Sequence, residues 1–313
     1  MPTIVAFLDV LGFSSYATQD PDGALRLLGH QELILRLKIQ DGQFYPPSKY
    51  PDPSLAATAE AHLVDSFRHF LPFSDSIFIV SETPDKFVRQ LSHFLIECFL
   101  LIGHAFDAPK DDPMHPEDVK ITEFPSMARR KEKWYPPLWR GGLASGEVHV
   151  GGVTAVEDGK DIRVPNLAGP AAVKAVMAEK NCLGPDKKKC RGPRVLCEAG
   201  FEKLFGTNIQ RYFRKVTEET YELLWPAFIY NLNNNPEIEM SEFRKIWGPA
   251  LALWKSKKGH EAFEHYDEFL KLLVRSFLCW ADIANFQSKA REQIRVWIAN
   301  DLSNDLVEAY LLP

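Results

Sequence analysis

The chain is short of several things that would announce a function. It has only five cysteines, Cys98, Cys182, Cys190, Cys197 and Cys279, an odd number with no C-x-x-C pair. That argues against a disulfide framework and against a cysteine-based zinc site, and fits a reducing cytoplasm. It has little net charge, −5 over 313 residues, so no general pull toward nucleic acid or an anionic membrane is expected. Long apolar runs are missing too. The most apolar stretch, Phe87 to Phe106, is broken by Arg89, Glu97 and two histidines. A membrane span needs about 20 nearly uncharged residues, so an amphipathic core helix is the reading. The opening MPTIVAFLDV lacks the basic start and long apolar core of a secretory signal. No internal repeat is visible.

What is present is ordinary globular composition, 45% hydrophobic and 25% charged. Ile4 to Phe7 is a β-prone run ending at Asp9, and Leu11-Gly12-Phe13-Ser14 reads as a turn. Asp22 is a plausible N-cap for a helix carrying Leu25, Leu28, Leu33 and Leu37. A proline-rich loop spans Phe44 to Leu55, and a helix is expected around Ala56 to Asp65. Runs Phe67–Phe73 and Ile77–Val80 flank Ser74-Asp75-Ser76, which predicts a hairpin with Asp75 at its tip. A helix over 84–104 follows, then a surface insertion over 107–137. Trp139–Ser145 and Glu147–Ala155 read as a strand pair, Ala168–Glu179 as a helix, and Lys187–Lys189 as a solvated loop run. Further strands are expected near Arg194–Leu196 and Tyr212–Leu223. From residue 236 to 313 apolar residues recur at threes and fours, which predicts an all-helical accessory segment. His260 and His265 are five apart and do not share a helical face. The expected division is 1–235 and 236–313.

Three pieces carry chemistry. In Phe7-Leu8-Asp9-Val10-Leu11-Gly12-Phe13-Ser14-Ser15 a strand delivers one carboxylate to its end. A glycine turn then exposes backbone amides that can cradle phosphate. Asp9 itself can equally cap backbone amides. In Phe73-Ser74-Asp75-Ser76-Ile77 a hairpin next to the first strand can bring Asp75 beside Asp9. Two carboxylates on neighbouring strand ends are an economical holder for two divalent ions. A plain polar hairpin tip has the same composition. In Arg140-Gly141-Gly142 through Gly151 the apolar positions suit strands and the glycines suit close backbone approach. Arg140 can serve phosphate or a structural ion pair.

Together these pieces resemble class III nucleotidyl cyclases. Phe-x-Asp-x-x-Gly-Phe-Ser is similar to their first metal motif and Phe-Ser-Asp-Ser to their second metal hairpin. Arg-Gly-Gly-x-x-x-Gly-x-Val-x-x-Gly is similar to their next strand pair, and Gly169-Pro170-Ala171 to the helix start after it. Order and spacing agree over roughly residues 3 to 200. The resemblance implies an α/β (α+β), ferredoxin-like catalytic domain working as a homodimer with active sites at the interface. It also implies two Mg²⁺ or Mn²⁺ ions held by Asp9, Asp75 and the Val10 carbonyl. The triphosphate would lie on the amides of Leu11, Gly12, Phe13 and Ser14.

The departures are informative. The purine-reading Lys is Leu71 here, and the partner base-reading position is Asn166. The family's Asn/Arg pair on the later helix aligns with Val173 and Met177. Lys174, Arg140 or Arg68 would then have to supply the transition-state cation. The chain also resembles the Pycsar pyrimidine cyclases of bacterial antiphage defence. That implies conversion of UTP, less readily CTP, to the 3′,5′-cyclic monophosphate, with Asn166 at the base edge and a separate effector protein downstream. The rival readings are a purine cyclase and a silent nucleotide-binding scaffold. A diguanylate cyclase would need a Gly-Gly-Asp/Glu-Glu-Phe hairpin, which Phe-Ser-Asp-Ser is not.

Overall fold

Strand β1 (Ile4–Val10) is apolar on both sides and lies in the middle of a seven-stranded sheet, as a strand buried on both faces must. The structure, a computed structural model, describes residues 2–100, 118–123, 128–133, 137–158, 160–180, 190–231, 236–259 and 263–311. After β1 come α1 (Phe13–Gln19), α2 (Pro21–Phe44) and α3 (Pro53–Ala61). Asp20, not Asp22, caps α2: its carboxylate accepts from the Gly23 amide at 2.9 Å, with Pro21 in the first turn. Asp22 lies inside the first turn, where it suits the helix dipole.

The hairpin β2 (His69–Phe73) and β3 (Ser76–Ser81) turns at Ser74 and Asp75. Helix α4 (Pro84–Leu100) follows, and most of its residues are buried. Part of the expected insertion forms a separate hairpin, β4 (Asp118–Glu123) with β5 (Ala128–Lys133). Strand β6 (Trp139–Ser145) returns to the sheet beside β1. It does not pair with the next strand. β7 (His149–Glu157) pairs instead with β8 (Lys160–Ala168) in a separate two-stranded ribbon. Gly146, at φ +141°, breaks the run between β6 and β7, so an apolar alternation that looked like one hairpin serves two sheets.

Then come α5 (Pro170–Lys180), β9 (Val195–Glu198), the short α6 (Thr207–Gln210), β10 (Phe213–Lys215) and β11 (Thr220–Leu223). The sheet order is β10-β11-β9-β6-β1-β3-β2. β1 is antiparallel to both β3 and β6, while β6 and β9 run parallel, so the sheet is mixed.

Residues alternate along β1. Ile4, Ala6, Leu8 and Val10 enter the main core under α2 and α4. Val5 and Phe7 face the other way, into a small cluster with Ala171 and Ala175 of α5. The C-terminal helices α7 (Pro236–Ser256), α8 (Phe263–Ile283), α9 (Gln287–Asp301) and α10 (Val307–Leu311) join the main core. Phe99 meets Phe269 edge-on at 5.0 Å, and Trp225 stacks on Phe269 at 6.1 Å. The helical segment thus shares one core with the sheet. Lys187–Lys189 and His260 lie outside the described residues. Among the described residues no helix is long and apolar enough to cross a membrane.

Candidate functional site

Asp9 is the next-to-last residue of β1 and follows Val5 and Phe7 onto the α5 face of the sheet. Its neighbours across the two ladders are Ser76 on β3 and Arg140 on β6. The Ser76 hydroxyl donates to Asp9 Oδ1 at 3.0 Å. Arg140 donates to Oδ2 through Nε at 3.1 Å and Nη2 at 2.9 Å. Arg140 Nε also lies 2.7 Å from Oε1 of Glu179, on α5, whose side chain is only 3% exposed. Asp9 and Glu179 therefore share one guanidinium.

Asp75 is fixed beside them through its backbone: the Val10 amide donates to the Asp75 carbonyl at 3.0 Å. Ser74, just before it, has a left-handed φ of +53°. A non-glycine residue there stores strain of about 1–3 kcal/mol, of the kind found at functional turns. Gly12, at φ +77°, turns the chain out of β1, and a Cβ there would meet nothing within 4 Å. The glycine is required by its backbone angle rather than by space. The Leu11 amide already donates to the Leu138 carbonyl at 2.8 Å. Leu11 is therefore removed from the expected phosphate cradle, which falls to Gly12, Phe13 and Ser14.

One glycine of β6, Gly142, lets α5 approach. A Cβ on Gly142 would collide with the Ala175 carbonyl of α5. Only a glycine-backed strand allows the helix that carries Glu179 to lie this close.

Asp9, Val10, Asp75, the turn after β1 and Arg140 gather at one end of β1. The other expected residues do not join them. Lys174 sits on α5 and pairs loosely with Glu198, at 3.8 Å. Arg68 lies at the opposite end of the β2–β3 hairpin, paired with Glu82. That is roughly 20 Å along the strands from Asp75, so within one chain Arg68 lies away from this site. Asn166 stands on β8 opposite Gly151, and its Oδ1 accepts from the Leu167 amide at 2.8 Å. Two contributors escaped the sequence reading, Ser76 and Glu179. Strand register against Asp9 would have found Ser76. Glu179 is visible only once α5 is packed on β6.

The donor set suits a hard cation. Asp9 and Asp75 are carboxylates on adjacent strand ends, joined by the backbone bond from Val10 to Asp75, and oxygen donors of this kind are what Mg²⁺ and Mn²⁺ prefer. A second group, His62, His93 and Glu97, lies with its ligand atoms within 4.8 Å of one another. It already has its cation. Glu97 Oε1 accepts from Lys38 Nζ at 2.8 Å and lies 2.9 Å from His62 Nδ1. Burial works against ionised Glu97, but Lys38 and His62 overcome it and hold its carboxyl below the usual range. This is a structural charge network.

No family model matches the chain, and no curated protein matches it.

Proposed function

We propose that the chain is a class III-type nucleotide cyclase that converts a pyrimidine nucleoside triphosphate, UTP in preference to CTP, to its 3′,5′-cyclic monophosphate and pyrophosphate. The observation that carries this reading is the seat of Asp9, with the Asp75 turn bonded to Val10 beside it. The surrounding order supports it. β1, β2, β3 and β6, with helices after β1 and β3, run β6-β1-β3-β2 and all antiparallel. That is the strand order of a ferredoxin-like βαββαβ unit.

In this reading Asp9 and Asp75, with the Val10 carbonyl, hold two Mg²⁺ or Mn²⁺ ions. Bound there, such ions supply the charge that activates the ribose 3′-hydroxyl and stabilises departing pyrophosphate. Ser76 fixes the direction of Asp9. The amides of Gly12, Phe13 and Ser14 receive the triphosphate. Arg140 is the cation within reach of it. Asn166, carried on the β7–β8 ribbon away from this end of β1, reads the base from the other protomer of a homodimer whose active sites lie at the interface. With one oxygen lone pair held by Leu167, it presents its NH₂. That group matches the O4 acceptor of uracil and repels the exocyclic amine of cytosine.

A homodimer is supported by exposed apolar side chains on the ribbon and on α5. Val153 and Val156 on β7, Ile162 and Val164 on β8, and Val173 and Met177 on α5 are all exposed. Val173 and Met177 occupy the positions where purine cyclases carry their Asn/Arg pair. The same replacement favours the second reading, a silent nucleotide-binding scaffold. The proposed context is a signal generator of antiphage defence, whose cyclic product acts on a separate effector.

The test is incubation of the purified protein with each of the four ribonucleoside triphosphates and Mn²⁺, with chromatography of the products. Cyclic UMP as main product supports the reading. Cyclic AMP as main product sinks the pyrimidine assignment, and no cyclic product leaves the scaffold.

A further inference from the structure

We propose that Arg140 is a displaceable internal cation that occupies the metal carboxylate until the phosphate chain of the substrate draws it away. This rests on the reading of Asp9 as a metal ligand. The guanidinium places two nitrogens on Asp9 Oδ2, at 3.1 and 2.9 Å. This is the charge-assisted geometry expected for a strong carboxylate contact. Ser76 holds the other oxygen. Both oxygens of Asp9 are thus engaged, one of them by a full positive charge. A divalent ion seeking Oδ2 must compete with that charge, and a +2 ion beside an unmoved guanidinium would be repelled.

Arg140 has somewhere to go. Its Nε already lies 2.7 Å from Glu179 Oε1, so a rotation that leaves Asp9 can keep the Glu179 contact. The side chain is 28% exposed, enough to move, whereas Glu179 is almost fully buried and stays as its anchor. A triphosphate arriving with its ions offers the guanidinium a better, bidentate oxygen partner. Arg140 then passes from ion substitute to phosphate ligand in one motion. The consequence is that metal alone binds weakly, and metal and phosphate load together. An idle site therefore holds its own counter-charge.

The test measures Mn²⁺ binding by electron paramagnetic resonance, without turnover, in the wild-type chain and in Arg140→Met, with and without inorganic tripolyphosphate. A charge-assisted contact of this kind is worth about tenfold or more in affinity. The expected result is that Arg140→Met binds Mn²⁺ alone about tenfold or more tighter than wild type. With tripolyphosphate that advantage is lost or reversed, because the variant has no guanidinium for the phosphate. Arg140→Lys keeps the charge without the fork, and is expected to fall between the two. It also serves if the methionine variant folds poorly. Equal Mn²⁺ affinity in wild type and both variants overturns the proposal while leaving the metal site intact. Mn²⁺ binding by none of them, with or without tripolyphosphate, overturns the metal reading itself and the proposal with it.

Discussion

Glu222→Gln is the sharpest probe of what holds the far side of the sheet. Glu222 is fully buried on β11. It accepts from Arg194 at 2.6 and 3.0 Å and from Arg214 at 3.2 and 2.8 Å. Burial alone would push its carboxyl up, but Arg194, Arg275 and Arg214 together hold it down to about 2, from an ordinary 4.5. A gap of that size corresponds to about 3 kcal/mol of folding stability at neutral pH. Breaking a buried ion pair by removing one partner costs about 3–5 kcal/mol, so the two estimates agree. In a chain of 313 residues that is a fall in melting temperature of roughly 5 °C.

The sign with pH follows from the depressed folded value. The contribution is complete above pH 4.5 and drains as pH falls toward 2. Glutamine mimics the protonated acid, so the gap between wild type and variant should fall to less than half its neutral value by pH 3. Thermal melts of both proteins at pH 7 and pH 3 measure it. A gap below about 1 kcal/mol at pH 7, or one that is unchanged at pH 3, refutes the reasoning.

Further predictions concern the site. Gly142→Ala forces α5 away from β6 and should cost about 1–3 kcal/mol in a denaturant melt, with activity falling further because Glu179 travels with the helix. Asn166→Asp presents only acceptors to the base edge, so the ratio of kcat/KM for UTP over CTP should drop, read from competition assays. A double change of Val173 and Met177 to glutamate places like charges on the exposed face of α5. Sedimentation should then show monomer in place of dimer, with product formation lost in parallel.

Much of this was legible in the sequence, and the reasons differ by element. β1 and the β2–β3 hairpin were readable because alternation and a polar turn carry strong local signals. The helical end was readable from its period. The pairing of β7 was not. A strand pattern states that a segment is extended but not which neighbour it joins, and only the backbone at Gly146 and the ribbon partner β8 decide that. The N-cap of α2 was missed by two residues because Asp20 and Asp22 are equally good caps, and Pro21 chooses between them. Arg68 is close to Asp75 in sequence but is carried to the other end of a hairpin. Glu179 is far from Asp9 in sequence, yet is brought to the same guanidinium by α5 packing on Gly142. Charge partners of this kind are set by tertiary packing and leave no local trace.

The most direct measurement is product formation from UTP with Mn²⁺ in wild type and in Asp9→Asn, side by side, with folding of the variant checked by its melting curve. Wild type should release cyclic UMP and pyrophosphate in equal amounts, and the folded variant should release neither. Cyclic product from Asp9→Asn at the wild-type rate, or no cyclic product from wild type with any nucleotide, would contradict the account.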